Sequence, residues 1–336
     1  MMILLEAKMT IAVILLVMLF FILAAALYLG FLTISRKLYV KIFKRPHPMP
    51  QVDRSPSSID QSTIFGRGQN WFYSNRMEFL NVRIDSFDKV RLSGYFRPSA
   101  DRSSRFAVIL LHAYDEHPSQ MSAYARLMMR QIQCHVLIAH GRAHCMSGGK
   151  TCTHGLYESV DLTRWIDYIK MQVGNDCRIF IVGRGLGASS ALLAAQQKDF
   201  SENVAGIIAD SPYEVLEPVL LNRLKAIYKF DCSPFMGSVR HIAIKRKGLD
   251  LRLCDTAIHA DRIRVPVLIF QGGEDEITRP SGSKRIFDNI RAPKRLVQID
   301  RADHLMGYDI SPSTYEREVR HFIEQCVVRL VSIGRM

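Results

Sequence analysis

The chain has no C-x-x-C pair: its seven cysteines, at positions 134, 145, 152, 177, 232, 254 and 326 of 336 residues, are odd in number and scattered. That pattern argues against both a disulfide framework and a cysteine zinc site, and points to reduced thiols in small buried positions. Acidic residues are in deficit, 32 against 45 Lys and Arg, for a formal charge of +13. No aromatic-basic RNA motif, zinc-finger spacing or basic-helix pattern accompanies the surplus, so nucleic acid is not an expected partner. No internal repeat is apparent. What is present is apolar residue, 48% of the chain, enough to bury one full-size α/β core.

Charge is absent altogether from residues 10–34. As a helix this run measures about 37 Å, enough to cross a hydrocarbon core of roughly 30 Å. A cleaved signal is the rival reading, because Ala24, Ala25 and Ala26 fit a cleavage site. Against it, the preceding segment is weakly basic and the apolar run continues beyond the usual length. Lys8 is offset by Glu6 before the run, whereas Arg36, Lys37, Lys41, Lys44 and Arg45 follow it. This bias predicts a single-pass membrane protein with its main domain in the cytoplasm, and the basic flank suits anionic headgroups. Pro46, Pro48 and Pro50, then Ser- and Gly-containing sequence to Gly68, read as a semi-rigid tether. The expected division is a flank at 1–9, a span at 10–34, a tether at 35–69 and one domain at 70–336.

Within that domain a hairpin is predicted from strands at 78–84 and 89–97. Apolar runs of strand length then alternate with helical patterns: strands at 106–111, 134–139, 178–182, 204–209, 265–270 and 295–299, helices at 119–133, 158–172, 186–198, 281–290 and 313–330. Such alternation is α/β, a mainly parallel sheet covered by helices on both faces. It breaks between 213 and 264, where an amphipathic stretch (Val215, Leu216, Val219, Leu220, Leu224, Ile227) precedes a basic, loop-rich run around Lys245, Arg246 and Lys247. An insertion at the sheet's carboxyl edge is placed to act as a lid.

Residues 179–188 run from an apolar strand through a Gly-rich turn into an alanine-rich helix, the setting of a nucleophile elbow. In G-x-S-x-G the flanking glycines let strand and helix approach while the strained central residue projects its side chain over the sheet edge. Gly183 and Gly187 hold the flanking positions, and Gly185 stands where serine belongs. A phosphate loop is the alternative, but the spacing fits neither G-x-G-x-x-G nor a P-loop. Ser189 and Ser190, one turn into the helix, read as packing residues.

The chain resembles the bacterial α/β hydrolases described as serine aminopeptidase-like or lysophospholipase-like, including members with one N-terminal transmembrane helix. The likeness covers about residues 70 to 330. It rests on V-R-L-S-G-Y-F-R-P (90–98), the strand ending in His112, R-A-H-C-M-S-G-G (142–149), D-L-T-R-W-I-D-Y-I (161–169), the elbow, I-I-A-D-S-P-Y (207–213), G-G-E-D (272–275) and A-D-H (302–304). It implies the α/β-hydrolase fold with a helical lid. The triad order of that fold, nucleophile then acid then base, assigns the acid to Asp275 and the base to His304. Asp210 is an alternative acid, better read as capping the following turn. The oxyanion donors would be the backbone N–H groups of Tyr114 and Leu186. Three places depart from the family pattern: His112-Ala113 for His-Gly, Arg184-Gly185 for His-Ser, and Ala139-His140-Gly141-Arg142-Ala143-His144-Cys145 for Pro-Asp-x-Arg-Gly-His-Gly.

Without a hydroxyl at residue 185 no acyl-enzyme forms there. The expected function is therefore that of a membrane-anchored pseudohydrolase acting in binding or regulation, with a small acyl or peptide-like ligand and neither cofactor nor metal. The alternative is a weak hydrolase in which His304 and Asp275 activate water directly.

Overall fold

In the computed structural model, which describes residues 2–46 and 59–334, the chain opens with one helix, α1 (Met2–Phe43). It is long and apolar enough to cross a membrane, with a mean hydropathy of 3.0 in its most apolar window and none of that window buried. A signal sequence would have the same character. The helix does not stop where the charges begin. Leu38, Tyr39, Ile42 and Phe43, spaced to share one face, are buried. The 35–69 segment is therefore not a tether throughout. Residues to 43 are helical, and α2 (Ile64–Ser74) packs on the domain, begun by a Thr63 side chain that accepts from Gly66 N–H at 2.9 Å. The prolines Pro48 and Pro50 lie outside the described residues.

The core is an eight-stranded sheet of β1 (Leu80–Asp85), β2 (Arg91–Arg97), β3 (Phe106–Leu111), β4 (His135–Ala139), β5 (Arg178–Arg184), β6 (Val204–Asp210), β7 (Val267–Gly272) and β8 (Lys294–Ile299), in the order β1-β2-β4-β3-β5-β6-β7-β8. The β1-β2 hairpin is antiparallel, β2 runs antiparallel to β4, and the other pairs are parallel. Alternating side chains of the central strands feed two cores. Ile109, Leu137, Ile181 and Ile269 pack under α4 (Leu156–Val173), α5 (Leu186–Ala195) and α8 (Pro280–Asn289). Leu110, Val182, Ile208 and Phe270 pack with α2, α3 (Ser122–Gln131) and the C-terminal α10 (Pro312–Ser332).

The insertion forms α6 (Leu216–Tyr228) and α7 (Met236–Lys247), so the run around Lys245 is the end of a helix and not the loop-rich segment its charge suggested. Val239 and Ala243 turn one face of α7 into a third core, shared with Leu38, Tyr39, Ile42 and Phe43 of α1. The end of α1 is also stitched to the loop before α4. Cys152 N–H donates to Phe43 O at 2.9 Å and the His154 ring bonds Ile42 O at 2.9 Å. All seven cysteines are free and buried.

Candidate active site

The strand order reverses at β3, which lies between β4 and β5, so the crevice at the carboxyl ends of β3 and β5 is the topological switch point where open α/β sheets bind ligands. Leu111 is in register with Gly183 there, and the turn into α5 follows at once. The close approach demands glycine: a Cβ on Gly187 would lie 2.2 Å from Leu111 O, and one on Gly183 2.5 Å from Gly187 O. Gly185 itself has φ +53° and ψ −110°. The elbow thus keeps the left-handed backbone on which a serine would be strained, while carrying the residue that adopts it freely.

The side-chain space beyond Gly185 is crowded on the Ala113 side and bounded by Leu305. A Cβ built there would meet the Ala113 methyl at 3.1 Å and the two Leu305 methyls at 3.6 and 3.7 Å. Ala113 replaces the glycine of the family pattern, so two of the departures are one packing arrangement: the methyl fits because residue 185 has none. The preceding residue, Arg184, is itself buried and tied to its surroundings. Its guanidinium lies 4.0 Å over the Phe65 ring, donates to Leu305 O at 2.7 Å and pairs with half-buried Glu116, whose other carboxylate oxygen accepts from Ala113 N–H at 3.2 Å. This network fixes the backbone on both sides of the gap.

Asp275 and His304, predicted as acid and base, come together. His304 Nδ1 lies 2.8 Å from Asp275 Oδ2. Thr278 Oγ1 donates to that same oxygen at 2.7 Å and sits 3.1 Å from His304 Nδ1, while the backbone N–H groups of Ile277 and Thr278 donate to Asp275 Oδ1 at 2.9 and 2.8 Å. Burial alone would raise the Asp275 pKa, but the bonds from His304 and Thr278 outweigh it and hold the carboxyl below its ordinary value. A carboxylate on Nδ1 orients the imidazole with Nε2 available to bind a proton. Asp210 is neither the acid nor a turn cap. Its carboxylate accepts from Tyr124 at 2.6 Å and Tyr315 at 3.0 Å, pinning α3 and α10 to the end of β6.

Neither Tyr114 N–H nor Leu186 N–H has a hydrogen-bond partner among the described residues, as donors awaiting an anion would be. Ser189 and Ser190 are buried and committed. Ser189 Oγ donates to Gly185 O at 3.1 Å and accepts from Tyr213 N–H, and Ser190 Oγ donates to Leu186 O at 2.7 Å. The third departure, 139–145, folds as a buried turn beside the site. His112 Nε2 accepts from Gly141 N–H at 2.9 Å, and the His112 and His144 rings meet edge to face with centroids 4.9 Å apart. Burial and the nearby His144 push the His112 pKa down to about 3. Ala143 and Cys145, standing where the family pattern has glycine, take φ of +58° and +42°. Sequence reasoning missed Thr278, Leu305 and Glu116. Thr278, three residues after Asp275, left a legible trace in its spacing, whereas Leu305 and Glu116 became relevant only through the packing around residue 185.

Residues 251–310, which hold Asp275 and His304, match the family model for serine aminopeptidase, S33. The chain is 27% identical over 252 residues to the uncharacterized protein YqkD of Bacillus subtilis (strain 168), covering 72% of this chain and 82% of that one. Among solved structures, the esterase Pf2001 of Pyrococcus furiosus superposes with a TM-score of 0.60 at 22% identity, covering 76% of this chain and 95% of that one. Est1E from Butyrivibrio proteoclasticus gives 0.55 at 20% identity, covering 74% and 99%.

Proposed function

We propose that this chain, a member of the α/β hydrolases by its sheet, its elbow and its likeness to these proteins, is a membrane-anchored pseudohydrolase that binds a small acyl or peptide-like ligand and has lost covalent catalysis. One observation carries the reading: residue 185 keeps the elbow backbone but bears no side chain, and the Ala113 methyl crowds the place a Cβ would take, at 3.1 Å. Restoring a hydroxyl would require the neighbour to move. The anchor is α1. Cleavage after Ala26 would leave Leu27, Tyr28 and Leu29, each more than 60% exposed, facing water at the new terminus, which favours a retained helix over a removed signal. The charges of residues 36–45 put the domain on the cytoplasmic side.

A second reading is favoured by the Asp275–His304 pair. An oriented imidazole and two unpaired backbone donors are the parts needed for a water-attack route, and proteases stripped of a triad member retain roughly 10³ to 10⁴ fold acceleration over water. Hydrolysis of short-chain aryl esters by the full chain, compared with His304→Ala, separates the readings. The pseudohydrolase is expected to give the same slow rate with and without His304. A rate at least tenfold above that of the variant would overturn it in favour of water activation.

A further inference from the structure

A cavity of about 600 Å³ lies between the end of α1 and α6 of the lid. One wall is cationic. Lys37 and Lys41 lie one turn apart at the end of α1 and Lys44 follows its last residue, and none of the three forms an ion pair among the described residues. Arg223 reaches in from α6, its guanidinium 4.4 Å over the ring of Tyr114. Of the residues lining the cavity, Asp115 alone carries a carboxylate. The other surface is apolar, from Val40, Leu220 and Leu224. With Arg36 and Arg45, six Lys and Arg residues line this partly apolar space against one carboxylate, and like charges so placed repel one another unless an anion joins them.

We propose that this cavity binds a phosphate-bearing anion, presented as the headgroup of an anionic phospholipid whose acyl chain lies on the apolar wall. The proposal goes beyond the pseudohydrolase reading and rests only on its anchor: the cationic stretch begins at Arg36, two residues after the apolar run of α1 ends, at the height where phosphates of the adjoining leaflet would lie. A flank that merely greets the membrane presents its charge outward along the helix. Here a further cation, Arg223, comes from α6 nearly two hundred residues later in the chain and faces the same space, and Tyr114, a candidate oxyanion donor, lines it too. Lipid on the cationic wall would thereby hold α6 against α1 and set the lid over the crevice.

The test uses the full chain in nanodiscs of phosphatidylcholine alone or with phosphatidylglycerol, reading thermal unfolding and lipid retained in native mass spectrometry. Phosphatidylglycerol is expected to raise the Tm and to remain bound, with about tenfold weaker binding for Lys41→Gln and for Arg223→Gln. Arg223→Lys, which keeps the charge, should retain most of the binding and separates a ligand contact from a folding defect. Lys245→Gln removes the same charge from α7 outside the cavity and should change nothing. An effect of phosphatidylglycerol lost equally in Lys245→Gln and Arg223→Gln, or in neither, would overturn the site in favour of diffuse attraction. Soluble glycerol phosphate, added to chain in phosphatidylcholine discs, distinguishes the source: stabilisation there, with none from phosphatidylglycerol, would overturn the lipid. Failure of the chain to enter discs would contradict the anchor, and the glycerol phosphate arm, run in buffer, would still decide the cavity.

Discussion

At the scale of single residues, the departures from the family pattern become interdependent once their geometry is known. A serine or alanine at 185 meets the Ala113 methyl at 3.1 Å and is forced into φ +53°. Gly185→Ala should therefore cost on the order of 1 to 3 kcal/mol in a denaturant titration, and Ala113→Gly in the same chain should return part of it. Additivity of the two substitutions would contradict the coupling. The opposite change is expected at Ala143 and Cys145. Both hold left-handed backbone without being glycine, so Ala143→Gly relieves roughly 1 kcal/mol of strain, offset in part by the greater freedom of glycine in the unfolded chain, for a small net gain in stability. A clear loss would show that the methyl contributes more to packing than the backbone costs. Of these features, Gly185, Asp275 and His304 were legible in the sequence, because an elbow and two post-strand loops have fixed places in chain order. The crowding of the serine's position by Ala113 and its contact with Leu305 were not, since these residues are 72 and 120 positions from the elbow and meet it only through the fold.

At the scale of elements, the central strands β3 to β7 were legible because they are continuous apolar runs bounded by turns, the signature of strands buried on both faces. Helix α2 was hidden by its glycines, which read as linker but serve close packing: a Cβ on Gly68 would lie 2.5 Å from Ala123 N. The last turns of α1 were hidden by their lysines and arginines. The 38, 39, 42, 43 spacing of apolar residues was the available signal, and it marks the face that joins the lid core. That face makes the end of α1 and the helices α6 and α7 one packed unit. Phe43→Ala, which empties a fully buried ring site, is expected to lower stability by about 3 kcal/mol in detergent and to expose α6 and α7 to protease before the sheet unfolds. Unchanged lid proteolysis would mean that the helix end only rests on the domain.

At the scale of the whole molecule, the buried histidines set the pH response. Burial pushes the His112 pKa down to about 3, and wholly buried His140, near Arg76 and the rings of His112, His117 and His144, is driven well below its ordinary value, in each case first by loss of solvent. The unfolded chain binds these protons near pH 6.5 and the folded chain does not, so stability is full above that pH and is lost as the pH falls below it. Each histidine removes about 1.4 kcal/mol per pH unit over that window. Denaturant midpoints measured at pH 7 and pH 5 should fall together with the acid, and equal midpoints would mean the rings are hydrated. The fold class, the sheet and the lid's place in it were available from sequence because they follow from the pattern of burial. The state of the site was not, because it depends on which side chains occupy one small volume at the carboxyl ends of β3 and β5. The most direct measurement of that state is the intact mass of the chain after treatment with a fluorophosphonate probe, taken for the natural sequence and for Gly185→Ser with Ala113→Gly. The expected result is no adduct on the natural chain and a single adduct on the double variant, through residue 185 and dependent on His304. An adduct on the natural chain would contradict the account.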